Sequence, residues 1–155
     1  MSETLYTFDT IQDFIGKELG VSDWLPVEQQ VMNRFAEDTR DPDWMHIDPV
    51  RARRDGPFGS TVAFGFWTLS MLTYFSYQLK LHPEDAAYAV NYGLDRVRWI
   101  APVPVGSRIR CRAKLLDARH KDSDRIVMRT RNLIEVENQN QPAMEAVWLG
   151  MLVRA

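Results

Sequence analysis

Cysteine is almost absent: Cys111 is the only one in 155 residues. A disulfide framework is thereby excluded, and so is a zinc site built on several thiolates. Histidine is nearly as scarce, with only His46, His82 and His120. Few side chains are therefore available for proton transfer near neutral pH. An excess of one charge is missing too. The net charge of −2 argues against a strongly basic face, and no nucleic-acid partner is expected. The first residues, MSETLYTFDTIQDF, have no basic start followed by an apolar run, so no signal or transit peptide is read there. With a lone cysteine, that points to a reducing cytoplasm. No repeat, low-complexity tract or linker divides the chain, and residues 1–155 read as one domain of ordinary size.

Apolar residues, by contrast, make up 45% of the chain, with five Trp, five Tyr and seven Phe. That composition excludes disorder. Gly56–Leu79 is a run of 24 residues without a charge, long enough to span a bilayer. Its polar content (Ser60, Thr61, Thr68, Ser70, Thr73, Ser76, Gln78) and its start at Gly56-Pro57-Phe58-Gly59 favour a buried helix in a globular protein. No membrane association is expected.

The pattern predicts helices first and strands after, an α+β class. Ile11, Phe14, Ile15 and Leu19 recur at helical spacing and predict a helix over 9–19, with Asp9 as N-cap and Gly20 as stop. A second helix is expected over 26–38, with Pro26 in its first turn. Residues 41–60 read as loop, with a short helical piece over 49–54. The third helix, 61–79, is apolar on nearly all faces and should be wrapped on most sides. Then the period changes to two. Ile109, Cys111, Ala113 and Leu115 alternate with Arg108, Arg110, Arg112 and Lys114, as in a half-buried antiparallel strand. Further strands are expected over 86–100, bent near Gly93, and over 125–137 and 143–154, the last two joined by a turn at 138–142. An antiparallel sheet wrapped around the long helix leaves edges that a homodimer would cover.

His82 and His120 lie among polar residues and read as surface side chains. His46 lies in Arg40-Asp41-Pro42-Asp43-Trp44-Met45-His46-Ile47-Asp48-Pro49, where imidazole and carboxylates are concentrated. Three readings are open. The aspartates are turn and cap residues; or Asp41, Asp43, His46 and Asp48 are metal ligands, which fits no calcium-loop or helix-borne zinc spacing; or a carboxylate and an imidazole activate one water as acid and base. Gly65, near the start of the uncharged helix, either permits tight packing or offers a free backbone N–H to a developing oxyanion.

Taken together these residues resemble the MaoC-like dehydratases, the (R)-specific enoyl-CoA hydratase family with the hot-dog fold. The resemblance rests on Phe35-Ala36, on Asp41 through Pro49 with its Asp-to-His spacing of five, and on Phe58-Gly59 and Phe64-Gly65. It continues through Asn91–Trp99 and Pro102–Ser107. Trp44 aligns it with the branch of the nodulation protein NodN. Arg40 stands where the family usually has glycine, Asp43 where it has Asn or Gln, and Phe64 where it has histidine. The resemblance implies that Asp41 and His46 hold the catalytic water and that the Gly65 N–H binds the thioester carbonyl oxygen. It implies hydration of a trans-2-enoyl-CoA to the (R)-3-hydroxyacyl-CoA, or the reverse, by a homodimer with no metal or other cofactor. A hot-dog thioesterase and a non-catalytic acyl-CoA-binding dimer are the alternatives. Arg51, Arg53 and Arg54 either meet CoA phosphates or form a solvated helix face.

Overall fold

A computed structural model describes residues 5–155. In chain order the strands are β1 (Glu18–Val21), β2 (Leu25–Pro26), β3 (Ala86–Trp99), β4 (Arg108–His120), β5 (Arg125–Val136) and β6 (Met144–Arg154). The helices are α1 (Gln29–Thr39), α2 (Trp44–Ile47), α3 (Pro49–Asp55) and α4 (Gly65–Gln78). The period-two segments form one antiparallel sheet in the order β1-β4-β5-β6-β3, with β2 also pairing with β4. This is the hot-dog arrangement, with α4 lying against the concave face.

The alternation in β4 decides its two faces. Ile109, Cys111, Ala113 and Leu115 are all buried. The intervening arginines face out and find acids on neighbouring strands: Arg110 and Arg112 both bind Glu135 at 2.6 and 2.9 Å, and Arg108 pairs with Glu137. A register shift between Leu115 and Asp117 moves the inward row to Ala118. Such a bulge adds a residue and flips the phase. Trp67, Leu72 and Phe75 of α4 pack with Ile109, Ile134 and Ala146 of the sheet, and Met32 and Ala36 of α1 join them. Full burial of such side chains contributes about 1.5–3 kcal/mol each. A second core gathers Phe8, Ile11, Leu81, Leu115, Ile126 and Leu152.

Three expected elements differ. In place of a helix over 9–19 there is one 3-10 turn, Ile11–Phe14, then Gly16 at φ 82° and strand β1. Ile11 and Leu19 both reach the second core, but by a turn and a strand. Main-chain bonds between Gly16 and Leu115 (2.8 Å) and between Leu115 and Lys17 (3.1 Å) tie the segment to the sheet. Pro26 belongs to β2, and α1 begins only at Gln29. The long helix begins at Gly65, because Val62 and Ala63 are extended and donate to Met45 O and Val103 O.

The wrapping of α4 is also incomplete. Phe66, Tyr74 and Tyr77 are exposed on it, and Tyr88, Tyr92 and Leu94 are exposed on the edge strand β3. Among the described residues no helix is long and apolar enough to cross a membrane.

Candidate active site

The segment after α1 is built from short polar devices. Arg40 takes the left-handed region at φ 57°, and the Asp41 N–H closes the helix on Ala36 O at 3.0 Å. The Asp41 carboxylate accepts the Asp43 N–H at 3.1 Å. Asp43 caps α2 by accepting the Met45 N–H at 2.9 Å, and Asp48 caps α3 by accepting the Arg51 N–H at 2.9 Å. The capping reading therefore holds for Asp43 and Asp48. Each satisfies a donor that a helix start leaves open.

His46 lies in the single turn of α2 and is held from several directions. Its Nδ1 lies 2.7 Å from Val62 O. A carbonyl only accepts, so Nδ1 is the donor, and the lone pair that an imidazole with one proton carries is then on Nε2. The ring stacks on Phe64 with centroids 3.9 Å apart. Its backbone carbonyl accepts from Gln29 Nε2 at 2.7 Å, and Gln29 Oε1 in turn accepts from the buried Thr61 hydroxyl at 2.6 Å.

Gly65 is the first residue of α4, and no side chain caps that helix. Its N–H lacks an intrahelical acceptor by position, and it has no hydrogen-bond partner among the described residues. The peptide joining Phe64 to Gly65 is fixed from its other end, because Phe64 O accepts both the Thr68 N–H at 3.0 Å and the Thr68 hydroxyl at 3.1 Å. Trp99, at the end of β3, donates its indole N–H to Gly65 O at 2.8 Å. A Cβ on residue 65 would lie 2.8 Å from that nitrogen, so any larger residue requires the Trp99 ring to shift. A hollow lined by Phe58, Val62, Gly65, Thr68 and Trp99 opens at this helix start.

Phe64 links the two, since its ring stacks on His46 and Gly65 follows it in the chain, but His46 does not line the hollow at Gly65. Asp41 does not join them directly. It is exposed, lines a separate hollow with Asn33, Arg40 and Ile47, and has no hydrogen bond or ion pair to His46 among the described residues. Asp41 is exposed rather than enclosed by apolar side chains.

Gln29, Thr61 and Trp99 were not legible as site residues, since nothing in their sequence neighbourhoods marks them. His82 differs from its surface reading: it is half-buried, and that burial lowers its pKa from the usual imidazole range. Arg51 lies over the Trp44 ring at 4.4 Å and Arg54 pairs with Asp55 at 2.8 Å, so two of the three clustered arginines have partners within the fold. The Cys111 thiol is pushed up to about 12, by burial first and by Glu135 second, and is chemically quiet.

The family model described as "MaoC like domain" matches residues 10–138. The chain belongs to this family. Among MaoC-like relatives, it is 36% identical over 141 residues to nodulation protein N of Rhizobium meliloti, covering 91% of this chain and 88% of that one. It is 38% identical over 143 residues to 3-hydroxyacyl-thioester dehydratase Z of Mycobacterium tuberculosis, covering 90% and 93%. The fold matches the X-ray structure of the monoamine oxidase regulatory protein from Archaeoglobus fulgius with a TM-score of 0.80 at 22% identity, over 100% and 99% of the two chains. Membership in a family of hydratases and dehydratases supports a lyase-type activity.

Proposed function

We propose that the protein adds water reversibly across a trans-2-enoyl-CoA to give the (R)-3-hydroxyacyl-CoA. The observation that carries this reading is the contact of His46 Nδ1 with Val62 O at 2.7 Å. Val62 O holds the proton on Nδ1, which leaves Nε2 free to take a proton from water as the water oxygen bonds to C3. Charge then develops on the thioester oxygen as an enolate, and the Gly65 N–H stabilises it. A proton returned to C2 completes the addition, with Asp41 and His46 sharing the water and the proton. For Asp41 to take part, the loop at Pro42 must bring its exposed carboxylate toward the imidazole when substrate binds. The identity with a 3-hydroxyacyl-thioester dehydratase supports the reaction class.

The active unit is a homodimer. The exposed aromatic row of β3 and the bare face of α4 together form an apolar surface that a second copy would bury.

One observation favours the non-catalytic acyl-CoA-binding dimer, namely that Asp41 is exposed and shares neither a hydrogen bond nor a hollow with His46 among the described residues. Loss of enoyl absorbance on adding the protein to crotonyl-CoA and longer enoyl-CoAs separates the two readings. Turnover supports the hydratase; tight acyl-CoA binding without turnover at any chain length supports the binding dimer.

A further inference from the structure

Helix α2 is a single turn, so no following turn donates to its last carbonyls. The Asp48 N–H goes back to Trp44 O at 3.0 Å, and Pro49 has no N–H to give. No backbone N–H reaches His46 O among the described residues. The donor it finds comes from another helix: Gln29 Nε2, at 2.7 Å.

The Gln29 amide is fully engaged. It stands on the first residue of α1, half-buried. Its nitrogen also donates to Asn33 Oδ1 at 2.9 Å, one turn on. Its oxygen accepts the Thr61 hydroxyl at 2.6 Å, and Thr61 is only 3% exposed. Next in the chain is Val62, whose carbonyl meets His46 Nδ1 at 2.7 Å. These contacts close a ring: Gln29 to the His46 main chain, the His46 side chain to Val62 O, and Thr61 back to Gln29. The far side of the ring is pinned, because Thr61 O accepts the Val105 N–H at 2.9 Å and Val62 donates to Met45 O at 3.1 Å.

The imidazole itself meets Phe64 and Val62 O. The stack on Phe64 sets the plane of the ring but not its sense, since half a turn about the Cβ–Cγ bond keeps the plane and exchanges Nδ1 for a C–H. The Val62 carbonyl decides which nitrogen holds the proton and which is left bare. That choice requires the main chains of His46 and of Thr61–Val62 to stay at a fixed separation. Gln29 binds both with one side chain.

We propose that Gln29 is a positioning residue: by bridging His46 O and the Thr61 hydroxyl, it keeps Val62 O on Nδ1, so that His46 presents Nε2 to water. The catalytic part of this proposal rests on the reading of His46 as the base.

The test uses Gln29→Met, which keeps the length and loses every hydrogen bond, and Thr61→Val, which removes the other end of the bridge. Nitrogen-15 NMR of the intact protein at about pH 8.5, where an ordinary imidazole is neutral, reads which ring nitrogen carries the proton, and His46→Ala identifies the His46 signals. The wild type should show the proton on Nδ1, and both variants should move toward a mixture with Nε2–H. With crotonyl-CoA, kcat should fall about tenfold in Gln29→Met, the scale of one lost hydrogen bond, while KM stays unchanged. The double variant should fall no further than Gln29→Met, because both changes break the same bridge. A wild type with its proton on Nε2, or His46 signals that neither variant moves, overturns the proposal. So does a relaxed imidazole with undiminished kcat. If the wild type turns over no enoyl thioester, the functional reading fails on its own, and the NMR comparison alone decides whether Gln29 positions the ring.

Discussion

The His46 imidazole lies against the Phe64 ring at a centroid distance of 3.9 Å and an interplanar angle of 29°. Phe64 in turn is the N-cap residue of α4, so one stacked contact couples the candidate base to the backbone that carries the candidate oxyanion donor. The aromatic residue at the helix entry is therefore compatible with an ordered site, although the family usually has histidine there.

Replacing His46 by Ala should lower hydratase kcat by about two to four orders of magnitude, the usual contribution of a positioned acid–base group. Asp41→Asn should cause a comparable loss with the fold intact. Enoyl absorbance and circular dichroism, measured on the same preparations, check both. Undiminished turnover in both variants would remove Asp41 and His46 from the mechanism.

Gly65→Ala places a methyl 2.8 Å from the Trp99 indole nitrogen. The expected cost is about 1–3 kcal/mol, the usual range for overpacking, together with loss of activity as the helix start shifts. Because the two residues touch, their effects should be coupled rather than additive. Thermal melts of Gly65→Ala, Trp99→Ala and the double variant measure the coupling, and strict additivity would show that the contact carries none.

The exposed edge strand leads to a prediction about mass. Tyr92→Glu with Leu94→Lys puts charge on the row proposed to meet a second copy, and light scattering should then report one chain where the wild type reports two. A monomeric wild type would refute the homodimer.

Glu135 concerns stability and pH. Burial pushes its pKa up, but hydrogen bonds from Arg112 and Arg110 outweigh that and hold it below the usual glutamate range. Its folded-state pKa is therefore depressed. The stability it contributes is present above the unfolded-state value and is lost as pH falls through the folded one. Glu135→Gln should cost about 1 kcal/mol at neutral pH, in keeping with a partly exposed pair, and the gap should close in acid. Urea titrations across pH measure it; a gap independent of pH would refute the assignment.

The sheet was legible because β4 and β5 each have one wetter and one dry face, which leaves an alternation that local sequence records. The turn at 138–142 and the short helix at Pro49 were legible through Asn138, Pro142 and the Asp48 cap. The segment 9–19 was not, because Ile11, Phe14 and Leu19 meet the second core through a turn and a strand whose spacing imitates a helix. The candidate residues stood out where chemistry is rare, at His46, and where a glycine lies near the start of the uncharged helix, at Gly65. Their supports did not. Gln29 reaches His46 from 17 positions away and Trp99 reaches Gly65 from 34, distances at which only the folded backbone decides who touches whom. His82 follows the same rule, since it shares a hollow with Met128 and Trp148, both far from it in sequence.

Strand β3 precedes β4 in the chain yet sits at the far side of the sheet, beside β6. Strands β4, β5 and β6 form a meander through short turns, whereas β3 docks only on the strand that comes last in the chain. Contacts so distant in sequence are slow to form, because loop closure must come first. The order of assembly that follows is meander first and β3 last, and Trp99 arrives with β3. The clamp on Gly65 is then the final piece put in place, so a chain caught before completion holds the candidate site residues without the Trp99 contact that fixes the helix start. Pulse-labelled hydrogen exchange during refolding should protect β4–β6 amides before those of β3; simultaneous protection would contradict this order.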